Sequence, residues 1–338
     1  MSHRVRLARR RDVDAVLALA KMTGGGFTNL PPDREALAER LERCEAALAR
    51  TEEQADDELY VLVLEDVERG RIVGTAQIFS AVGRSWPFYS YKITSLTQTS
   101  KELGRSFAAE MLNLVTDYQG ASEVGGLFLH PAARSGGLGK LLARSRYLFI
   151  AAHRPRFSDR VIAELRGWLD VHGNSPFWDG LAGRFFGMAF QEADRLNALL
   201  GNQFIADLMP KHPIYTAMLP EEARRVIGVP HDSGRPAMQM LEHEGFRFDN
   251  YIDIFDGGPT MAAVTDDIRT VREALTARLA GGDVKEGKAI LAAVGRLGDF
   301  KATFAVARMR GEDELELNAE AVALLDAGIG DRLVYGIR

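Results

Sequence analysis

The chain has 338 residues, of which 46% are hydrophobic and 26% are charged, and this length suits one large domain or two of ordinary size. The net charge of −5 argues against a general nucleic-acid-binding protein, which would carry a basic surplus. With a single cysteine, an internal disulfide and a thiolate zinc site are excluded.

The cellular compartment is suggested by features that the chain lacks. Its N-terminal segment is basic but carries no apolar stretch of the kind found in signal peptides, and no run of 18 apolar residues occurs. Cys44 falls on the apolar stripe of a predicted helix, so we interpret it as a core residue and not as a nucleophile. We expect a cytoplasmic protein that spans no membrane.

The first fifty residues predict one strand and two helices. A strand at residues 5–7 leads into a helix, for which Asp12 is the expected N-cap because it precedes an apolar-periodic run. A glycine-rich loop at residues 23–31 follows. A second helix, with apolar residues along one face, begins near Asp33.

The next eighty residues are β-rich. Residues 59–64 and 72–82 are separated by a short polar turn, which predicts a hairpin. Further strands are predicted at residues 91–97 and 112–117. The run 124–129 is short and apolar, as expected of a buried central strand, and a helix follows it closely.

The second half of the chain is predicted to be mainly helical at first and to end in strands. The pattern predicts mostly helices over residues 151–225 and a helix over residues 237–246 that ends in glycine. A strand at residues 251–255 precedes a helix near residues 266–279. The remaining residues resemble the strands of a small β-domain.

The sharpest local signal is a turn with the pattern Arg134-x-x-Gly137-x-Gly139 between a strand and a helix. Glycines let an anion approach the backbone, and the N-terminus of a helix offers unpaired N–H groups and a positive dipole end. The pattern does not fit a Walker loop or a dinucleotide fingerprint, whereas a tight turn without a ligand stays open. The candidate anion-binding residues are Arg134, Ser135, Gly136, Gly137, Leu138, Gly139 and Lys140.

At this point the chain resembles the GNAT superfamily of acyl-CoA N-acyltransferases. Their coenzyme A loop has this pattern after the fourth strand, and a later helix typically ends in Gly-Phe, as residues 237–246 do. The resemblance implies an α/β fold of GNAT type. We expect a GNAT-like domain over residues 1–260 with a helical insertion at about 151–225, and a small C-terminal α+β segment over residues 261–338.

Several longer strings resemble the arginine N-succinyltransferase family more closely. The first is a run of the form Lys-x-Thr-Gly-Gly-Gly-x-Thr-x-Leu-Pro near the N-terminus. The strings occur here at residues 21–31, 122–123, 145–146, 163–167, 175–178, 208–215 and 251–260.

This resemblance implies transfer of a succinyl group from succinyl-CoA to the α-amine of L-arginine, a first step in arginine degradation. The family's proton-donating histidine matches His231, and its acyl-CoA contact matches Leu127. We expect backbone N–H groups of Leu127, Phe128 and Leu129 to serve the thioester and its oxyanion. Two alternatives remain: another basic amine such as ornithine, or another acyl-CoA, as substrate, and a non-catalytic subunit that binds acyl-CoA.

Three further residues are weaker candidates for substrate binding. Glu123 precedes the central strand, Trp178 follows a Ser-Pro-Phe turn, and Asn29 lies in the glycine-rich loop. The competing interpretations are a solvated or salt-bridged carboxylate for Glu123, a core position for Trp178 and a simple tight turn for the loop of Asn29. No histidine spacing indicates a metal site. The resemblance also leaves a homo-oligomer or a complex with a paralogous subunit as the expected assembly.

Overall fold

The computed structural model of the chain describes residues 2–23, 29–200 and 203–338, and fifteen β-strands and eleven α-helices lie within them. Residues 24–28 of the predicted glycine-rich loop fall outside the described residues. The strands are β1 (His3–Leu7), β2 (Leu59–Asp66), β3 (Arg71–Phe79), β4 (Ser90–Ser100), β5 (Arg105–Val115), β6 (Ser122–Leu129), β7 (Arg160–Glu164), β8 (Ile214–Tyr215), β9 (Arg247–Asp253), β10 (Pro259–Val264), β11 (Leu275–Gly281), β12 (Lys288–Val294), β13 (Lys301–Met309), β14 (Glu314–Leu317) and β15 (Arg332–Ile337). The helices are α1 (Val13–Ala20), α2 (Arg34–Ala49), α3 (Leu138–Ala152), α4 (Pro176–Gly180), α5 (Gly183–Phe186), α6 (Phe190–Leu200), α7 (Gln203–Leu208), α8 (Glu221–Arg225), α9 (Arg235–His243), α10 (Arg269–Arg272) and α11 (Ala319–Leu325).

The chain divides into two compact units. Unit 1 comprises Met1–Ala81, Val124–Asp159 and Val264–Arg338, and unit 2 comprises Val82–Glu123 and Arg160–Ala263. The division after Glu123 falls inside strand β6. The sequence-based division near residue 260 stays a prediction.

Unit 1 is built on a sheet in which the first and the last parts of the chain meet. Its strand order is β12–β15–β11–β14–β13–β1–β2–β3–β6. Strand β1 pairs antiparallel with both β2 and β13, which places Val5 opposite Leu64 and Ala302. Every residue of β2 but Glu65 is buried, as expected for a strand inside a sheet that is covered by helices.

The C-terminal strands of unit 1 close into a ring. Strand β12 pairs with β13 as well as with β15, so β11 to β15 form a closed set of five strands. Small and branched apolar residues fill its interior, among them Ala292, Leu317 and Leu333. The β-containing C-terminal segment expected from the sequence is therefore present.

The two N-terminal helices of unit 1 begin differently. Helix α2 begins where predicted and is capped by Asp33, because Ala36 N donates to Asp33 Oδ1 at 2.8 Å. Asp12 occupies the N-cap position of α1, as predicted, but its side chain accepts no hydrogen bond from that helix. Its carboxylate accepts from Arg9 N at 2.7 Å and pairs with Arg6 at 2.7 Å. The charge-assisted bonds to Arg6 turn the side chain back toward β1.

Unit 2 contains a second set of strands and the shorter helices α4 to α9. Its order is β6–β7–β10–β9–β4–β5–β8, where β6 contributes Ser122 and Glu123. Strands β4 and β5 form a hairpin of eleven residues on each side. The core of unit 2 contains the fully buried aromatic residues Tyr91, Phe177 and Trp178.

Two secondary-structure predictions for the second half of the chain are wrong in detail. The segment predicted to be mostly helical, residues 151–225, contains the buried strand β7, whose five residues are too few to show a strand period. The helix predicted over residues 266–279 is limited to α10, and strand β11 follows it. Pairing of β11 with β14 and β15 outweighs the helix propensity of its alanine and leucine residues.

The predicted fold class, an α/β fold of GNAT-like type, is confirmed. In unit 1, β1, β2 and β3 form an antiparallel set beside β6, and a glycine turn then leads into α3. Among the described residues, none of the helices is both long and apolar enough to cross a bilayer.

Candidate active site

The turn after β6 has the geometry expected of an anion-binding loop. Gly136 and Gly137 have positive φ angles of 61° and 82°, and α3 begins at the next residue. At Gly136 a Cβ atom would meet no other atom within 4 Å, so the backbone there is open. The turn therefore exposes main-chain atoms at the N-terminus of a fifteen-residue helix, where an anion is favoured.

Positive charge surrounds this turn. Arg134 is exposed, and its Nε donates to Leu129 O at 3.1 Å while its guanidinium lies 5.7 Å from the Phe128 ring. Lys140 is exposed in the first turn of α3. Arg338, which no sequence pattern indicated, donates from Nη2 to Gly136 O at 3.2 Å. Unit 1 thus brings the predicted strand residues and the predicted turn residues together.

The backbone of β6 is irregular just before the predicted acyl-CoA contact Leu127. Gly126 has a φ of +56°, and a Cβ atom there would lie 2.9 Å from the Gln77 side chain. Gln77 Nε2 donates to the carbonyl of Asn29 at 2.6 Å, and its Oε1 is buried without a hydrogen-bond partner among the described residues. Gln77, a buried amide in an apolar strand, links the candidate Asn29 to β6. The polar residue within the run Thr-Ala-Gln-Ile-Phe was the signal that could have identified it.

His231 lies in unit 2 at the start of a short 3₁₀ turn. Its backbone N–H donates to Arg166 O at 2.8 Å, and Pro230 forms a bridge with Gly167. Its Nδ1 lies 2.8 Å from Ser233 Oγ and 3.2 Å from Ser233 N. Because the backbone N–H of Ser233 can only donate, Nδ1 is an acceptor, and the neutral ring carries its hydrogen on Nε2. Burial, followed by the charge of Arg166, lowers the pKa of His231 below its usual value.

A buried aspartate holds the segment to which His231 is bound. Asp256 Oδ2 accepts from Gly167 N at 2.7 Å, and Oδ1 accepts from Gly258 N at 2.9 Å. Burial, together with the nearby charge of Asp253, raises the pKa of Asp256 to about 7. At Gly167 a Cβ atom would lie 2.3 Å from Asp256 O, so no other residue fits there. Asp256 therefore fixes the backbone at Gly167, next to Arg166, whose carbonyl accepts from His231 N.

The other two substrate candidates lie in different environments in unit 2. Glu123 is buried, with 6% of its surface exposed, and is opposite Ile162 of β7 in the parallel β6–β7 pair. Trp178 is fully buried, and its Nε1 donates to Met188 O at 3.0 Å. Its ring packs edge-on against Phe255 at 5.1 Å. We therefore assign Trp178 to the core and not to a substrate-binding surface.

Within residues 2–23, 29–200 and 203–338, no group of three or more histidine, cysteine, aspartate or glutamate side chains is arranged to hold a metal ion.

Similarity to known proteins agrees with this geometry. The family model described as "Arginine N-succinyltransferase beta subunit" matches residues 3–270. The chain belongs to the arginine N-succinyltransferase family. The resemblance that the sequence strings indicated is confirmed, and the matched residues include both the 134–140 turn and His231.

Relatives in the arginine N-succinyltransferase family match this chain over almost its whole length. An arginine N-succinyltransferase of Citrobacter koseri is 43% identical over 331 residues, which cover 97% of this chain and 96% of the relative. One from Escherichia coli is also 43% identical, over 335 residues, with the same coverage. Among solved structures, arginine/ornithine succinyltransferase subunit AI of Pseudomonas aeruginosa is 32% identical with a TM-score of 0.91, covering 99% of this chain and 98% of that one.

Proposed function

We propose that the protein transfers a succinyl group from succinyl-CoA to the α-amine of L-arginine. The observation that carries this proposal is the 43% identity, over 97% of the chain, to proteins named arginine N-succinyltransferase. The anion-binding turn of unit 1 supports it independently, because an acyl-CoA substrate brings a diphosphate that must be bound.

The reaction exchanges a thioester for an amide. The neutral α-amine attacks the thioester carbonyl carbon, a C–N bond forms, and the C–S bond breaks with its electron pair left on sulfur. The amine nitrogen loses one proton, and the thiolate gains one. The products are N-succinylarginine and free coenzyme A.

In this proposal unit 1 binds the acyl donor. The backbone at Gly136 and Gly137 and the first-turn N–H groups of α3 bind the diphosphate, and Arg134 and Lys140 add charge. The strand backbone at residues 127–129 binds the thioester and stabilises its oxyanion. Succinyl-CoA is then a co-substrate.

His231 moves the proton in this proposal. With its pKa lowered, the ring is mostly neutral near pH 7 and carries its hydrogen on Nε2, because Nδ1 accepts from Ser233 N. Once the ring is protonated, Nε2–H can donate to the departing thiolate. Such acid–base help is worth about 10²–10⁴-fold in rate. Glu123 and Asn29 are kept as candidates for contact with the amino acid.

Two other functions have specific support. The Pseudomonas aeruginosa relative is named for arginine and ornithine, which favours a second basic amino acid as a competing substrate. The same name contains the word "subunit", as does the description of the family model, which favours a role within a complex. We propose an assembly of identical or paralogous subunits in the cytoplasm.

Thiol release with purified protein tests the proposed function. Succinyl-CoA and acetyl-CoA are each combined with arginine, ornithine and lysine, and free coenzyme A is measured over time. We expect the highest kcat/KM for succinyl-CoA with arginine. If the protein converts ornithine alone, ornithine replaces arginine as the proposed substrate. If it converts none of the basic amino acids, a role as a non-catalytic subunit is favoured.

The role of His231 is tested in the same assay with a matched control. We expect His231→Ala to lower kcat by about 10²–10⁴-fold. His172→Ala removes an exposed histidine of the same unit and should leave kcat unchanged. Full activity of His231→Ala would end the assignment of this residue while leaving the reaction itself in place.

A further inference from the structure

The last residue of strand β7, Glu164, has a carboxyl group with no role in the proposed reaction so far described. Strand β7 runs parallel to β6, with Ser122 opposite Val161 and Glu123 opposite Ile162. Glu164 follows Ile162 by two residues. Since side chains alternate along a strand and paired residues share a face, Glu123 and Glu164 lie on the same face.

One carboxyl oxygen of Glu164 lacks a partner. The residue is partly exposed, but Oε1 is buried and has no hydrogen-bond partner among the described residues. A buried carboxylate oxygen without a partner costs several kcal/mol, roughly, so the group either holds a proton or receives a partner from outside the described residues.

The surroundings of Glu164 contain more negative than positive charge. Burial raises the pKa of Glu164 well above its usual value, and the charges of Asp253, Glu123 and Asp256 raise it further. Both aspartates accept hydrogen bonds from backbone amides, Asp253 from Phe255 N and Asp256 from Gly167 N. Four carboxyl groups are therefore grouped around the end of β7.

One cation of the chain, Arg166, lies near this group. Burial lowers its pKa, the charge of Asp256 opposes that shift, and its Nε is buried without a hydrogen-bond partner among the described residues. Among the described residues, the charges that act on Glu164 are those of three carboxyl groups and of no cation, so the site favours a further cation.

The position of Glu164 relative to His231 agrees with a role in substrate binding. His231 N donates to Arg166 O at 2.8 Å, so Glu164 lies two residues along the chain from the backbone that holds His231. The same short segment therefore carries Glu164 and anchors the backbone of His231.

We propose that the carboxylate of Glu164 binds the side-chain cation of the amino-acid substrate. This inference rests on the proposed function. The α-amine must be neutral when it attacks, whereas a guanidinium stays charged throughout the reaction and needs an anion throughout. A carboxylate can hold a planar guanidinium through two parallel hydrogen bonds, which a point charge does not provide.

A comparison of arginine with citrulline, which has nearly the same shape but a neutral side chain, tests the inference. We expect Glu164→Gln to raise KM for arginine about 10- to 100-fold, the effect of losing charge-assisted hydrogen bonds. KM for citrulline should change less than about 3-fold, because the side chain of citrulline ends in an uncharged ureido group. Glutamine at position 164 can still form hydrogen bonds with that group. KM for succinyl-CoA should stay constant. Glu222→Gln, an exposed carboxylate of unit 2, is the matched control.

Other outcomes would overturn the inference. An equal fall in kcat for both substrates at constant KM would make Glu164 a base instead of a binding residue. An equal rise in KM for both, with a lowered melting temperature, would make it structural.

Calorimetric binding of arginine and citrulline, with coenzyme A present, separates this inference from the proposed function. Wild-type protein that binds arginine but transfers no succinyl group contradicts the proposed function, and the binding ratio of Glu164→Gln still decides the inference. Normal turnover with an unchanged arginine-to-citrulline ratio in Glu164→Gln contradicts the inference alone. Wild-type protein that neither binds nor converts arginine contradicts both.

Discussion

The backbone N–H of Leu297 donates to Nε2 of His153 at 3.0 Å. Nδ1 of the same ring lies 2.9 Å from Phe149 O, so the ring is neutral with its hydrogen on Nδ1. His153 is fully buried at the end of α3, and Leu297 has a φ of +46°, unusual for leucine. A proton on Nε2 would therefore remove the bond that holds this strained residue.

Acid should destabilise the protein through His153. Burial lowers the pKa of His153 to about 4 from an ordinary 6.5. As pH falls from 6.5 to 4, the unfolded chain takes up the proton first, so stability that is complete above pH 6.5 is progressively lost. The loss amounts to about 3 kcal/mol. Urea unfolding of wild type and His153→Gln across this range should show their stability difference shrinking toward acid, and a constant difference would contradict the assignment.

Gly136→Ala should impair binding of succinyl-CoA. Gly70→Ala serves as the control, because the two glycines have nearly the same geometry. The φ angle is +59° at Gly70 and +61° at Gly136, and at both positions a Cβ atom would have no other atom within 4 Å. Alanine at either position should cost about 1–2 kcal/mol in unfolding free energy. Only Gly136→Ala should raise KM for succinyl-CoA, because its methyl group occupies the backbone surface that we propose binds the diphosphate. Equal KM values in both variants would remove the turn from the acyl-CoA site.

Arg156→Met should destabilise unit 1 strongly. The side chain is fully buried and donates to Arg50 O at 2.6 Å, to Tyr60 Oη at 3.1 Å and to Ala47 O at 3.3 Å. Without it these acceptors stay buried without a donor, at a cost of about 3 kcal/mol or more. Thermal unfolding measures the loss. Arg225→Met, which breaks an exposed pair with Glu221, should change stability by less than about 1 kcal/mol.

Cys44 should not react with thiol reagents in the native protein. It is fully buried, Val61 N donates to its Sγ at 3.3 Å, and burial raises its pKa to about 11. Titration with a chromogenic disulfide should find no accessible thiol in buffer and one in denaturant, since the chain has one cysteine. Rapid native labelling would contradict this, and would also add a background signal to the thiol-release assay.

The conformation of the glycine turn after β6 was predicted well because its determinants are local. Gly136 and Gly137 adopt positive φ, which glycine favours, and an apolar strand and a periodic helix adjoin them. The roles of Leu127 and His231 came from family resemblance and stay predictions about site residues. Nothing in the spacing of His231 alone distinguished it from the other histidines.

The features that the sequence did not reveal depend on distant partners. Strand β7 has only five residues, of which Glu164 is the last. The environment of Glu164 is set by residues distant in the sequence, such as Asp256. Strand β11 has helix-forming residues, but pairing with β14 and β15 decides its conformation. Local patterns carry no information about such partners, so these predictions failed where tertiary contacts dominate.

The pairing of β1 with β13 bears on how the protein is made. Val5 lies opposite Ala302, almost three hundred residues later in the chain. At about 5–20 residues per second, the ribosome needs roughly 15 to 60 s to supply that partner after the first strand emerges. Until then one edge of β1 exposes unpaired backbone groups. Nascent chains should therefore depend on chaperones longer than those of proteins whose early strands find neighbours nearby.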